Sequence, residues 1–182
     1  VVKKTNAELS AFNTQTVNGV CVKKFDDPTA AYANRNASYR DIVIFHATDL
    51  ILTAAEANLM AGNTSGYWTN INKIRNRAGL ATIQSISEYD PQYTVTSTFG
   101  NTTELDLLLD ERARELYAEH SRWEDLRRTK QLVRYNLAFN RNVNTVADMS
   151  SPSGEIRWYR PIPQNEIQNN TAMTVADQNP GY

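Results

Sequence analysis

Leu50-Ile51-Leu52-Thr53-Ala54-Ala55-Glu56-Ala57-Asn58-Leu59-Met60-Ala61-Gly62-Asn63 is the stretch that decides the fold. Together with the residues before it, it places Val43, Ala47, Leu50, Ala54, Ala57 and Ala61 at three-to-four spacing, the period of a helix. Ser38, followed three residues later by Asp41, has the pattern of a capping box, so the spacing predicts a helix over about 41–61. Ile44, Ile51, Ala55 and Leu59 form a second apolar stripe. The helix is therefore expected to be covered on two sides, and its alanines permit close helix approach. Gly62-Asn63 ends it.

A second helix is predicted from Gly66 to Ala78, with Trp68, Ile71 and Ile74 on one face and Gly79 closing it. Two antiparallel helices joined by a short loop make a helical hairpin over 41–80, of the length and small-residue content of a tetratricopeptide-like unit. Outward from it, residues 1–40 read as irregular with short strands, Val17 to Phe25 being β-rich and Asp26-Asp27-Pro28 breaking the run. The 81–100 stretch reads as a polar loop carrying Tyr89, Tyr93 and Phe99.

Asn101 with Glu104 is an N-cap signature. It opens a helix through Glu119 with Leu105, Leu108, Leu109, Ala113 and Leu116 inward. Ser121 with Glu124 restarts a helix to Tyr135, giving a helix pair over 101–135. Residues 136–182 form a loop-rich tail, where Ile156 to Pro163 suits only an edge strand because Pro161 and Pro163 lack ladder donors, and Gln164 to Ile167 a helical turn. The expected fold is mainly α: one domain of tetratricopeptide-like hairpins with long loops and a few short edge strands.

The 182 residues are 41% apolar and carry 19 basic against 20 acidic residues, a formal charge of −1. That suits one globular domain and leaves no long-range field to attract nucleic acid or an anionic membrane. The single cysteine, Cys21, excludes an intrachain disulfide and reads as a small buried hydrophobe. No stretch approaches the roughly 20 apolar residues of a membrane span. A start at Val1-Val2 reads as a fragment or a processed form. Asn36, Asn63, Asn101 and Asn169 stand in Asn-x-Ser/Thr triplets, which chance explains in a chain rich in Asn and Thr.

The densest charge cluster is Asp110-Glu111-Arg112-Ala113-Arg114-Glu115, followed by Glu119, Arg122, Glu124, Asp125, Arg127 and Arg128. Glu111, Glu115 and Glu119 share a helix face, but interleaved guanidinium groups keep carboxylates ionised and paired. Glu111, Arg114, Glu115, Arg122, Asp125 and Arg128 are thus expected to form a structural ion-pair network. Neither His46 nor His120 has a Glu three residues before it, so no di-metal carboxylate site is expected, nor a cofactor. Nucleophile-elbow, P-loop and dinucleotide fingerprints do not occur. Of the aromatic residues, Trp123 and Trp158 are expected in the core. Tyr67, Tyr89 and Tyr93 lie at loop positions, where a ring can stack on the C–H face of a sugar.

Six segments in order resemble the C-terminal half of the SusD/RagB family. They are Leu52-Thr53-Ala54-Ala55-Glu56-Ala57, Ile71-Asn72-Lys73-Ile74-Arg75-Asn76-Arg77-Ala78-Gly79-Leu80, Leu109-Asp110-Glu111-Arg112-Ala113-Arg114-Glu115-Leu116, Arg122-Trp123-Glu124-Asp125-Leu126-Arg127-Arg128-Thr129, Arg160-Pro161-Ile162-Pro163 with Glu166-Ile167, and Gln178-Asn179-Pro180-Gly181-Tyr182. One departure is Glu119-His120-Ser121, where the family usually has a glycine. The resemblance implies a helical, non-catalytic protein, lipid-anchored at the outer membrane of a Bacteroidetes-type bacterium. Such a protein captures an oligosaccharide or other nutrient and delivers it to a TonB-dependent SusC-like transporter. Cys21 lies too deep in the chain to be the lipidated residue. Two other readings stand beside this one: a helical scaffold that docks to the transporter without touching sugar, and a glycosidase, which needs a carboxylate pair across a cleft. The two-faced apolar helix also predicts self-association of a fragment that lacks its neighbours.

Overall fold

The computed structural model describes residues 24–25, 41, 43–89, 103–119, 121–140 and 142–182. The expectations for Cys21, Ser38, Tyr93, Phe99, Asn101 and His120 lie outside the described residues. The chain divides into two compact units, Val1–Ile44 and Phe45–Tyr182. In the first, Lys24 and Phe25 form a turn where the last residues of a strand were expected. The second carries the helices.

Helix α1 spans Ala47–Met60. It begins later than the capping pattern at Asp41 predicts because His46 takes the N-cap: its backbone is extended and its Nδ1 accepts the Thr48 amide at 3.3 Å. Val43, Ile44 and Phe45 precede the helix and are exposed. Of the two apolar stripes, one is covered: Leu52 and Ala55 are fully buried, with Ile51 and Leu59 packed beside them. Ala47, Leu50, Ala54 and Ala57 face outward, so the expected cover on both sides is corrected to one.

Helix α2 spans Thr64–Arg77 and folds back on α1. Gly62, at φ 72°, makes the reversal that a side chain would strain. An asparagine clasp fixes the corner: Asn63 Oδ1 accepts the Gly66 amide at 3.0 Å, Asn63 Nδ2 donates to Asn58 Oδ1 at 2.7 Å, and Asn58 Nδ2 donates to the Ala54 carbonyl at 2.7 Å. A Cβ on Gly66 would lie 2.6 Å from Asn63 Nδ2 and overlap the Asn58 amide, so a larger residue would push both asparagine side chains out of the clasp. After α2, Asn72 Nδ2 donates to the Ile83 carbonyl at 2.7 Å and Asn72 Oδ1 accepts the Ile83 amide at 3.0 Å. That two-bond clamp drives Ile83 into the core and leads through a 3₁₀ turn, Ile86–Glu88, to Tyr89.

Helix α3, Glu104–Glu115, starts on a reciprocal box between Thr103 and Asp106, not on Asn101 and Glu104. Thr103 N donates to Asp106 Oδ2 at 3.0 Å and Asp106 N to Thr103 Oγ1 at 3.2 Å. It ends at Glu115 and not at Glu119, because the chain reverses at Ala118 with φ 65°. Leu107 and Leu108 join the hairpin core, while Leu109 points into a second cluster with Leu126, Leu132 and Tyr135. Each fully enclosed leucine contributes roughly 1.5–3 kcal/mol.

The helix expected over 121–135 is two. Helix α4, Arg122–Arg128, and helix α5, Leu132–Phe139, are separated at Lys130, whose φ of 61° ends the first. Ser121 is helical itself and makes no side-chain cap. Trp123 and Trp158 are half-buried against the second cluster. The tail holds 3₁₀ turns at Val146–Met149 and Val175–Asp177 and a short helix α6, Gln164–Asn169. Among the described residues no strand forms, and the expected edge strand from Ile156 reduces to one antiparallel bridge, Ser150 to Ile156. Side-chain amides take over the pairing that a strand would supply. Gln178 accepts the Ile162 amide at 2.7 Å and donates to the Ile162 carbonyl at 3.0 Å, and Asn179 donates to the Arg160 carbonyl at 2.7 Å.

Candidate functional site

An arginine–carboxylate lattice ties these helices together. From α3, Arg112 Nε donates to Asp125 Oδ2 on α4 at 2.8 Å, and its Nη2 lies 2.6 Å from Asp49 Oδ1 on α1. Arg128 donates to Asp125 Oδ1 at 2.9 Å and grips Glu56 on α1 with both terminal nitrogens, Nη2 to Oε2 at 2.7 Å. Arg114 Nη2 is 2.9 Å from Glu111 Oε1, which Arg75 approaches at 3.6 Å, and Glu115 pairs with Arg77. Arg122 differs from the expected ion pairing: its Nη1 donates to the Leu109 carbonyl at 2.7 Å. Asp106 adds a pair that no local pattern announces, accepting from Arg134 at 2.8 Å and from the Tyr135 hydroxyl at 3.2 Å.

The tyrosines sit differently from the loop positions expected of them. Tyr67 is inside α2 and fully buried, and its hydroxyl donates to the Glu104 carbonyl at 2.6 Å. Burial raises its phenol far above the ordinary range. Tyr89 is also in the core; its hydroxyl accepts from Arg114, and the Arg75 and Arg114 guanidiniums lie 5.8 and 5.7 Å from its ring centre. Burial pushes its hydroxyl up to about 12 against the pull of Arg114. Both rings pack in the same hydrophobic cluster. Enclosed rings present no face to a sugar.

Open surface of a different make lies around α4. One cleft of about 350 Å³ is lined by Arg122, Leu126, Tyr135, Asn136, Phe139 and Asn140. A second, of about 550 Å³, is lined by Arg122, Trp123, Glu124 and Arg160. Arg122 serves both, its guanidinium 4.8 Å from the Tyr135 ring centre, while Arg160 lies over Trp123 at 5.5 Å. Three more such stacks occur: Arg127 over Tyr159 at 5.0 Å, Lys130 over Trp158 at 5.0 Å and Arg157 over Tyr182 at 5.2 Å. The tail clamp positions this surface, because Gln178 and Asn179 hold the segment that carries Tyr159 and Arg160. Gly181, at φ 98°, packs on Arg157, where a Cβ would lie 2.8 Å from its Cγ.

Chemically, such a surface offers flat apolar faces beside N–H donors, a combination that holds polar rings. Glu124 is the sole carboxylate among the described residues that line the two clefts, and its Oε2 already accepts from Arg127 Nε at 3.0 Å and Nη2 at 2.6 Å. Neither cleft therefore holds the carboxylate pair a glycosidase requires. Among the described residues no three of His, Cys, Asp and Glu gather as a metal site, and no helix is long and apolar enough to cross a membrane. Sequence reasoning missed Arg160, Asn136, Phe139 and Asn140 as lining residues. One signal was present: the 156–163 stretch holds Arg157, Trp158, Tyr159 and Arg160 and no acid.

A family model described as the SusD family matches residues 1–182. No curated protein and no solved structure matches the chain. SusD-family proteins are helical, outer-membrane-associated binding proteins that work with SusC transporters, and the described fold is mostly helical. With the match running the full length of the sequence, and with the helical hairpin and arginine-fastened helices that the quoted motifs announce, the chain belongs to the SusD family.

Proposed function

We propose that this chain takes part in non-catalytic capture of a glycan or other nutrient at the cell surface and its delivery to a TonB-dependent SusC-like transporter. The observation that carries the reading is membership of the SusD family over all 182 residues. The arrangement around α4 supports it, because the two clefts that meet at Arg122 combine aromatic rings with hydrogen-bond donors on an open face. In this reading the protein is held at the outer membrane by a lipidated cysteine other than Cys21.

A second reading follows from Tyr67 and Tyr89, whose burial gives them packing roles. In it this portion is the scaffold that docks to the transporter, and sugar is touched elsewhere in a longer protein. Calorimetric titration of a glycan panel into the 182-residue chain, beside a longer protein containing it, separates the two. Binding by both supports capture by these residues; binding by the longer protein alone supports the scaffold; binding by neither to any glycan or other nutrient overturns the capture reading.

A further inference from the structure

We propose that the cleft between α4 and the tail, lined by Arg122, Trp123, Glu124 and Arg160, takes a sugar that bears a carboxylate, a uronate-type residue of an acidic oligosaccharide. The inference rests on the capture reading and names the class of sugar.

Arg160 is the first reason. Its side chain is exposed and, among the described residues, forms no ion pair; its one recorded partner is the Trp123 ring, 5.5 Å away. A guanidinium held near a ring in this way makes no hydrogen bond to it, so its N–H groups remain to bind an acceptor. A carboxylate has the geometry of that fork, and two parallel N–H···O bonds form between them. Arg122 is the second. It gives Nη1 to the Leu109 carbonyl and its face to Tyr135, so it is a rigid, half-buried cation held at the junction of the two clefts. A cation already immobilised loses little further entropy when it binds.

Glu124 works in the same direction. Its charge is matched by Arg127 through two bonds to Oε2, which leaves the cleft with the net positive charge of Arg122 and Arg160 and leaves Oε1 as an acceptor for a hydroxyl. Trp123, with Arg160 over its ring, supplies apolar contact at the cleft for the C–H groups of a sugar. The charge extends beyond the cleft. Lys130 and Arg157 each lie over an aromatic ring, and among the described residues Arg157 Nε donates to a backbone carbonyl, that of Gly181 at 2.9 Å.

The test is calorimetric titration of the 182-residue chain with oligomers of galacturonate, alginate and hyaluronan. Each is paired with its carboxyl-reduced form, and a maltooligosaccharide serves as the neutral probe. At least one acidic oligomer is expected to bind about tenfold more tightly than its reduced partner. That preference should weaken as salt rises, because the attraction is between partly exposed charges. Arg160→Gln, at an exposed position that leaves the core untouched, is expected to remove most of the preference and keep the circular dichroism of the parent. Equal binding of acidic and reduced forms, or a preference that survives Arg160→Gln, overturns the proposal. Binding of the neutral probe with no gain from any carboxylate also overturns it and leaves the general capture reading standing. Binding of none of the acidic probes likewise overturns the proposal, whereas the capture reading is decided by the wider panel and the longer protein.

Discussion

Arg112 and Asp125 face each other at 2.8 Å from different helices, and their side chains are 5% and 4% exposed. The same guanidinium reaches Asp49 on α1, so one cation joins α1, α3 and α4. Two charges out of water repay their desolvation only while both are present, and removing one leaves the other stranded. Asp125→Asn is expected to destabilise the fold by about 1.5–3 kcal/mol, since Arg112 and Arg128 both lose their shared carboxylate while Arg112 keeps Asp49 and Arg128 keeps Glu56. Urea unfolding followed by circular dichroism measures it. A loss no larger than that of an ordinary surface substitution would remove the lattice from the account of stability.

Asp110 behaves oppositely to its neighbours. Its side chain is nearly buried and its Oδ2 has no hydrogen-bond partner. Burial lifts its carboxyl from 3.8 to about 6, against the pull of Arg114 and Arg122. A raised acid binds its proton more tightly when folded than when unfolded, so the ionised form lowers stability at neutral pH, and that cost fades as pH falls through 6 towards 3.8. Asp110→Asn is expected to be more stable than the parent by on the order of 1–2 kcal/mol at neutral pH, and the two should converge on acidification. Urea midpoints of both proteins across the acid range check the sign. A gap that widens towards low pH contradicts it.

Tyr67→Phe removes a donor from the Glu104 carbonyl at the start of α3 and leaves the ring in place. A drop of about 1–2 kcal/mol in unfolding free energy is expected, with affinity for any glycan unchanged because the ring is enclosed. A variant of parental stability that loses ligand binding would show the ring to be accessible after all.

Gln178→Leu leaves both the amide and the carbonyl of Ile162 without their partner. The tail segment should loosen, at a cost of about 1–3 kcal/mol. Hydrogen exchange at Ile162 is expected to quicken while the α1–α2 hairpin keeps its protection. Uniform acceleration across the chain would mean that the clamp is not a local device.

Much of this architecture is legible in the residues, and the parts that are not have physical reasons. Gly62 and Gly79 mark the ends of the hairpin helices because both carry positive φ. The breaks at Ala118 and Lys130 carry the same conformation on ordinary side chains, so no residue type announces them. Thr103 with Asp106 and Asn101 with Glu104 are equally good capping patterns on paper, and the box that forms is the one that also lets Asp106 meet Arg134. Tyr67 falls in the first turn of the helix predicted from Gly66, and its burial follows from packing on Trp68 and from its hydroxyl reaching the Glu104 carbonyl, a contact across 37 residues that no local pattern shows. At the candidate site, Trp123 and Arg160 are brought together by tertiary contact and by a side-chain clamp, neither of which leaves a periodic trace.

Glu56 and Arg128 bond across 72 residues, whereas the asparagine clasp of the hairpin closes within a few. On a ribosome adding about 5–20 residues per second, Glu56 is synthesised roughly 4–14 seconds before its partner. Through that interval the nascent hairpin is a complete turn of local structure whose carboxylates are hydrated, not paired. Asp49 and Glu56 are thus hydrated first and paired only once Arg112 and Arg128 have been made.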